Sequence, residues 1–385
     1  MASRAIHKRL EKIVSSSPIS AVDLFCGAGG LTHGLLQAGI KVEAGIDIDE
    51  QMGYAFRENN PGVKFLGWDV SRKNYNSIEN LFVAGKYRLL AGCAPCQPFS
   101  RLTYGIKDHD DWGLLDNFGR FIRGITPEVV TMENVPELAE RGKVIFDRFV
   151  DLLGRLDYHV DWKIVFCPEY GIPQSRRRLV LLASRLGKIS VPAGRYRYPS
   201  RWKTVRKTIG DLPPLKSGEK YSADLMHTAS LLSPTNLERI RATPHDGGTR
   251  KHWPENLMLD CHRRESGKSY GSIYGRMWWD KPAPTMTTLC TGIGNGRFGH
   301  PDQDRSITLR EAALFQSFPR SYDFWPSGEP PSRKMVGRMI GNAVPPKLAK
   351  VLGEAILAHV LCTITARLAN EKCSRRSVRS SHAAA

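Results

Sequence analysis

Acidic residues are scarce in this sequence: 38 Asp and Glu against 56 Lys and Arg leave a formal charge of +18 over 385 residues. That balance excludes an acidic, solvating chain and points to a polyanionic partner, most simply nucleic acid. Cysteine is sparse too. Eight in a chain of this length exclude a disulfide scaffold and suit a reducing compartment. No apolar run approaches the ~20 residues of a membrane span, and the N-terminal stretch with Arg4, Lys8, Arg9, Glu11 and Lys12 carries no apolar signal segment. A soluble, cytoplasmic protein without a membrane partner is therefore expected. What is present is enough apolar sequence, 41%, to bury a core at a mean hydropathy of −0.34, so the chain is not a disordered polyelectrolyte. Its length suits one large domain with a smaller one, or two of similar size, and no internal repeat is evident.

The charge is unevenly placed. Residues 185–270 hold seventeen Lys and Arg against eight Asp and Glu, half the excess. Trp202, Tyr221 and Trp253 lie among them. Cations interleaved with aromatics suit a folded nucleic-acid surface, although a solvated face over a few core rings has the same composition. Residues 367–385 add five cations and one acid; with Ser374, Arg375, Arg376, Ser377 and the Ser380–Ala385 end, they read as a basic disordered tail.

Apolar runs at Ala21–Cys26, Val42–Ile46, Arg88–Ala91, Glu128–Met132 and Leu179–Ala183 read as buried strands. Helical patterns at Leu31–Ala38, Ile78–Val83, Phe118–Ile122 and Val144–Leu153 alternate with them. This alternation predicts an α/β domain with a parallel sheet covered by helices. From about Arg185 the periodicity fails while Pro192, Pro199, Pro213, Pro214, Gly247 and Gly248 accumulate, which predicts a loop-rich second domain. Helical patterning returns at Leu309–Phe315 and Pro346–His359, so the C-terminal stretch is expected to fold back onto the first domain.

Two segments carry chemistry. Asp23-Leu24-Phe25-Cys26-Gly27-Ala28-Gly29-Gly30 leaves a strand and enters a helix, where glycines let a ligand approach the backbone and the helix N-terminus; a tight packing turn would look the same. Asp47, about 20 residues on, occupies the place of a ribose-binding acid, with Asp49 competing for that role. Asp69 follows a third strand, and all of these acids could equally be caps. The turn lacks the Gly-x-x-x-x-Gly-Lys-Ser/Thr pattern of a nucleotide triphosphatase. Gly92-Cys93-Ala94-Pro95-Cys96-Gln97-Pro98-Phe99-Ser100 has a Cys-x-x-Cys spacing suited to zinc or redox chemistry, but no second cysteine pair or histidine pair stands at ligand distance. Cys93 and Cys96 could also be inert structural thiols, or Cys96 a nucleophile on a Pro-constrained loop.

Pro95-Cys96-Gln97, preceded by Asp23-Leu24-Phe25-x-Gly-x-Gly-Gly and followed by Glu133-Asn134-Val135, Gln174-x-Arg176-x-Arg178 and Gly341-Asn342-Ala343-Val344-Pro345, resembles the DNA (cytosine-5)-methyltransferase family. Order and spacing agree from Asp23 to Pro345. The resemblance implies a Rossmann-like S-adenosylmethionine-dependent methyltransferase domain with a smaller, loop-rich target-recognition domain. It implies Cys96 as the nucleophile at cytosine carbon 6, Glu133 as the acid near ring nitrogen 3, and Arg178 and Arg176 as residues that bind the target nucleotide and steady the site. For S-adenosylmethionine it implies Phe25 at the adenine, Asp47 at the ribose and Asp69 near the adenine amine. Leu114 forms a wall, Asn342 and Val344 close the methionine end, and Gly27, Gly29, Ile48, Val70 and Pro95 complete the pocket. Ile48 departs from the stacking Trp that some members carry.

The family acts on a base extruded from duplex DNA. Its recognition domain falls between the Gln-x-Arg-x-Arg and Arg-Glu-Ala-Ala motifs, here residues 186–304, between a first catalytic part at 1–185 and a returning part at 305–366. Gln97, Ser100, Gln174 and Thr285 are the DNA contacts implied; a strand threonine run competes for Thr285. Thr308-x-x-Glu311 fits a capping box and is assigned to architecture. The substrate could alternatively be transfer RNA, as in one branch of the family, or the chain a non-catalytic DNA-binding relative; the intact Cys96, Glu133 and Arg178 and the sizeable basic segment favour the DNA enzyme. A monomeric prokaryotic or phage protein is expected, with a restriction endonuclease as a possible functional partner.

Overall fold

The computed structural model describes residues 17–94, 113–264 and 271–382, the last twelve as backbone only. Seven strands, β1 (Ile19–Leu24), β2 (Lys41–Asp47), β3 (Lys64–Gly67), β4 (Tyr87–Gly92), β5 (Val129–Asn134), β6 (His159–Phe166) and β7 (Arg177–Ser184), form one sheet in the order β3-β2-β1-β4-β5-β7-β6. Strands β1 to β5 are parallel. β7 runs antiparallel between β5 and β6, so six strands share one direction and the expectation of a parallel sheet fails for β7 alone. The physical reason is the connection: only ten residues separate β6 from β7, enough to reverse the chain but too few for a helical crossover. β3 and β6 lie at the sheet edges and escape the sequence criteria because their side chains are half-exposed.

Helices cover both faces of the sheet. On one, α1 (Gly30–Gln37) and the long C-terminal helix, called α12 below, place Leu31, Leu35, Leu348, Leu352 and Ile356 against β1, β2 and β4. On the other, Phe118, Phe121 and Ile122 of α4 (Gly113–Ile125) pack with Phe146, Phe149 and Leu153 of α6 (Lys143–Arg155). The shorter α2 (Gly53–Asn59), α3 (Tyr75–Glu79) and α5 (Glu137–Glu140) complete this half; α3 starts three residues before the helix expected at Ile78–Val83.

Among the described residues between β7 and residue 308, regular structure is limited to α7 (Val205–Ile209), α8 (Pro234–Arg241), α9 (Asp260–Arg263) and 3-10 turns. A buried Arg276 compensates for missing ladders by donating to the carbonyls of Ile240, Thr243, His300 and Gln303. Beyond it lies α10 (Leu309–Phe315), whose start is a complete capping box between Thr308 and Glu311, as the spacing predicts. Burial alone would raise the Glu311 carboxyl, but Arg305, bidentate at 2.8 Å, holds it down to about 2.

After α11 (Arg333–Asn342) comes α12 (Pro346–His382). It docks on α1 at contact distances that only glycine permits: a Cβ on Gly34 would lie 2.3 Å from the Pro346 carbonyl oxygen, and one on Gly30 2.4 Å from that of Val344. Residues 367–382, expected to be a disordered tail, continue the helix; Ala, Leu, Arg, Lys and Glu favour it there. This helix also contains an apolar window of mean hydropathy 1.6, 33% buried, so length and composition alone would allow a membrane span that the sequence criteria did not flag. Its apolar face, from Leu348 to Val360, is buried in the core.

Asp23, at the end of β1, is fully buried and accepts from Thr32 Oγ1 of α1 at 2.7 Å, while its Oδ1 has no hydrogen-bond partner. Burial, opposed by the Thr32 bonds and reinforced by Asp47, pushes its carboxyl up to about 7. The folded state therefore keeps a proton that the unfolded chain loses near pH 4, and stability falls as pH rises from about 4 to about 7. Asp23→Asn keeps an acceptor for Thr32 and removes that loss. Thermal melts at pH 5 and pH 8 are expected to show a stabilisation that grows with pH, on the order of 4 kcal/mol at most; an equal effect at both pH values would contradict the assignment.

Candidate active site

Because β1 pairs with both β2 and β4, and β4 with β5, the C-terminal ends of these parallel strands come together where the order of connections reverses. Open α/β sheets bind ligands at this edge. The residues leaving β1 form a tight turn with Phe25, Gly27 and Gly29 all at positive φ, 59°, 51° and 90°. Asp47 fixes it from β2: one carboxylate oxygen accepts from Gly27 N at 2.8 Å, the other from Asp49 N at 2.9 Å. A Cβ on Gly27 would point into open space, and Ile48 beside it is 68% exposed. Glycine surface, an apolar lid residue and an acid thus form a cradle that fits a nucleoside-containing ligand.

The competing acid Asp49 is otherwise engaged, capping Gln51 N and receiving Arg338 from α11. Asp69 acts as a cap: Ser71 donates its hydroxyl and backbone N–H, holding the carboxyl below its ordinary range. The Val70 side chain is buried in the core cluster against which Phe25 also packs. Leu114 is half-buried in the first turn of α4. Asn342 is exposed at the end of α11 and Val344 is buried, its carbonyl against Gly30, so the 342–344 bend meets the glycine turn although about 300 residues of chain lie between them.

Pro95, Cys96, Gln97 and Ser100 lie outside the described residues. Their approach is described: β4 ends at Gly92, and the Ala94 carbonyl accepts from Asn134 Nδ2 of β5 at 3.0 Å. Next to Asn134, Glu133 is 3% exposed. Its Oε2 accepts from the Cys93 thiol at 3.2 Å, while Oε1 lies 3.1 Å from Arg178 Nε in an ion pair but is not hydrogen-bonded. Burial raises the Glu133 carboxyl against the opposing pull of Arg178 and Arg176. A buried acid whose carboxyl is raised by burial is able to hold a proton and is suited to meet a polar ring atom.

Two motif residues are turned inward. Arg176, fully buried, donates to the Met286 and Gly341 carbonyls at 3.0 and 3.1 Å and ties three distant segments together, while its Nε has no hydrogen-bond partner. Gln174, expected at DNA, is also fully buried; it donates to Phe315 O and Gln316 Oε1 and accepts from Met286 N. Both sit on the stretch that bridges β6 and β7, where the chain turns into the core before Arg177 re-emerges. Thr285 donates to Ser175 O at 2.9 Å and, with Ser175, Trp202, Trp278, Lys281 and Arg297, lines a cleft of about 870 Å³.

Of the readings open to Cys93 in the sequence, none pairs its thiol with Glu133, and Asn134 carries no role there beyond its motif. Their proximity in sequence to Cys96 and Glu133 was the available signal, but which carbonyl or carboxylate each meets depends on strand register.

Residues 19–358 match the family model for C-5 cytosine-specific DNA methylases. The chain is 49% identical to the Type II methylase M.HgiDII of Herpetosiphon aurantiacus over 88% of its own length and 94% of the relative's. It is 32% identical to the Type II methyltransferase M.PspPI of Psychrobacter sp. (strain TA137), covering 89% and 80%. In fold it is similar to a solved structure described as a prophage-encoded DNA modification methyltransferase of E. coli, with a TM-score of 0.68 at 22% identity, covering 89% and 99%. A 7-stranded sheet with a glycine turn and a buried Glu133 at one edge, together with these matches, leads to one conclusion: the chain belongs to the C-5 cytosine-specific DNA methylase family and is a DNA (cytosine-5)-methyltransferase.

Proposed function

We propose that this enzyme methylates carbon 5 of one cytosine within a short duplex sequence, after extruding that base, by transient addition of Cys96 to carbon 6. The observation that carries the proposal is the Glu133 carboxyl, buried, raised in pKa by that burial and held between Arg178 and the Cys93 thiol, on the strand next to the one that leads into Cys96. In this reading Glu133 meets ring nitrogen 3 of the cytosine and Cys96 adds to its carbon 6. As the sulfur–carbon bond forms, the carbon 5–carbon 6 electron pair moves toward carbon 5 and nitrogen 3, and the Glu133 proton or hydrogen bond at nitrogen 3 accommodates it. Carbon 5 then becomes nucleophilic and would take a methyl group from a sulfonium donor, whose sulfur keeps the electron pair of the bond that breaks. Loss of the carbon 5 proton to a base and departure of the thiolate then restore the aromatic ring.

S-adenosylmethionine, when bound, supplies the electrophilic methyl group for carbon 5. The residues that would hold it are Phe25, Gly27, Gly29, Asp47, Ile48, Asn342 and Val344, with the 342–344 bend closing on Gly30. Arg178 holds Glu133 in place, while Arg176 fastens the Met286 and Gly341 backbones behind it. In this reading the basic segment 186–304 serves as the DNA-recognition part, and Thr285, which lines the cleft, is the residue proposed for a backbone contact. A restriction endonuclease acting on the same sequence fits the Type II relatives.

Three experiments bear on this. Duplex DNA with 5-fluorocytosine at the target is expected to trap a covalent adduct visible on a denaturing gel, absent in Cys96→Ser; an undiminished adduct in that variant would sink the nucleophile assignment. Glu133→Gln should lower kcat by about 10²-fold or more with little change in DNA affinity, whereas parallel losses in both would rule out an acid role. In Gly27→Ala a methyl group enters the cradle at positive φ, so calorimetry should report weaker S-adenosylmethionine binding with duplex affinity retained, and unchanged cofactor binding would place the pocket elsewhere.

A further inference from the structure

Residues 195–203 read Arg-Tyr-Arg-Tyr-Pro-Ser-Arg-Trp-Lys, four cations and three aromatics in nine positions. The segment divides into inward and outward sets. Tyr196 is anchored by its N–H to the Glu169 carbonyl at 2.9 Å, and Trp202 by its indole N–H to the Tyr196 carbonyl at 2.8 Å. The Trp202 ring also meets Phe166 of β6 edge-on, with centroids 5.2 Å apart. Between these anchors a single 3-10 turn, Pro199–Arg201, is closed by Arg201 N to Tyr198 O and Trp202 N to Pro199 O. Arg195, Arg197, Arg201 and Lys203 point outward, and Tyr198 is 70% exposed.

A second observation concerns electrostatics. Among the described residues no acid pairs with these four cations. Lys203 instead crowds Lys347, whose ammonium is pulled below its ordinary pKa by burial first and then by Lys203 and Lys350; of those three, Lys350 alone has an acid partner, Glu354 at 3.7 Å. Cations gathered on a rigid turn without counter-charges repel one another in the free protein, and a polyanion relieves that repulsion. The turn sits at the cleft, since Pro199 and Trp202 line it together with Thr285, Lys281 and Arg297.

Building on the DNA reading above, we propose that Arg195–Lys203 is a preformed grip on the phosphate backbone of duplex DNA at the rim of this cleft, independent of base sequence. Arg197, Arg201 and Lys203 neutralise phosphates, and the exposed Tyr198 ring lies along the sugar–phosphate strand with its hydroxyl available to a phosphate oxygen. Because the turn is already anchored by Tyr196 and Trp202, little side-chain and loop ordering is needed on binding.

The test is a triple variant, Arg197→Gln with Arg201→Gln and Lys203→Gln, in the full chain. Its affinity is read by fluorescence anisotropy over a sodium chloride series, on a mixed-sequence duplex, on a duplex carrying the target found by mapping 5-methylcytosine, and on transfer RNA. Each phosphate contact contributes about 0.9 to the slope of log K against log salt. The variant is expected to bind both duplexes more weakly by the same factor, with a slope shallower by roughly 2–3, while kcat at saturating DNA and the methylated sequence stay unchanged. An unchanged slope overturns the grip. So does a loss confined to the target duplex, which would make the segment a base reader, or one confined to transfer RNA. If the triple variant melts abnormally, single Arg197→Gln and Arg201→Gln variants decide the question in its place: each is expected to lower the slope by about one unit, and unchanged slopes in both overturn the grip. If the wild-type protein methylates duplex DNA and the slopes coincide, the grip alone fails; if it does not methylate duplex DNA, the proposed function fails first.

Discussion

The architecture depends on one buried guanidinium. Arg176 lies between β6 and β7, yet its donors reach carbonyls at Met286 and Gly341, at 3.0 and 3.1 Å. A buried cation without partners would be prohibitively costly, so the three segments must converge for the fold to form at all. That convergence carries the loop-rich middle of the chain and the 341–344 bend to the sheet edge where Glu133 stands. Nearby, Gln174 repeats the arrangement in neutral form, joining Phe315, Gln316 and Met286. The motif residues that look most chemical in sequence thus divide between two tasks: Arg178 faces Glu133, while Gln174 and Arg176 hold the frame.

Much of this was legible in the sequence because it follows from local geometry. Glycines at a strand-to-helix turn announced a backbone approached by a ligand, and Gly27 does open onto empty space. Thr308 and Glu311 announced a capping box, which is formed. The apolar alternation located the five buried strands. What could not be read was long-range. Val70 follows a strand-end acid, and its burial in the cluster that Phe25 joins depends on a 3-10 turn that the sequence does not announce. The direction of β7 depends on how ten intervening residues bend, and composition does not encode that. Gln174 and Arg176 differ from Arg178 only by which way an irregular stretch faces, and that is settled by partners more than 100 residues away.

Burial also sets the chemical character of the site. The Cys93 thiol is pushed well up by burial beside Glu133, so it remains a donor to that carboxylate. Cys167, on the stretch leading to Arg176, is pushed up to about 12 for the same reason and is inert as a nucleophile at neutral pH. The two described cysteines near Glu133 are therefore packing and hydrogen-bonding groups. The exposed cations gather elsewhere, on the rigid turn at residues 195–203 and in the surrounding loop-rich segment. At Glu133 the charges of Arg178 and Arg176 are buried and set against an acid, whereas the cations of residues 195–203 are exposed and have no acid partner among the described residues, a separation that lets polyanion binding and ring chemistry be tuned apart.

The contact between α1 and α12 has a consequence for biosynthesis. Gly30 and Gly34 leave the start of the chain early, yet the backbone that packs on them, from Val344 to Lys350, emerges some 310 residues later. Until then the face of β1, β2 and α1 that α12 covers stays open to water, with Leu31 and Leu35 uncovered. Domains fold as units during synthesis, and contacts this distant in sequence form slowly. All seven strands are made by Ser184, before half of the chain, so the nascent methyltransferase spends most of its remaining translation with one face of the sheet bare, and the glycine turn acquires a back wall only when α12 arrives.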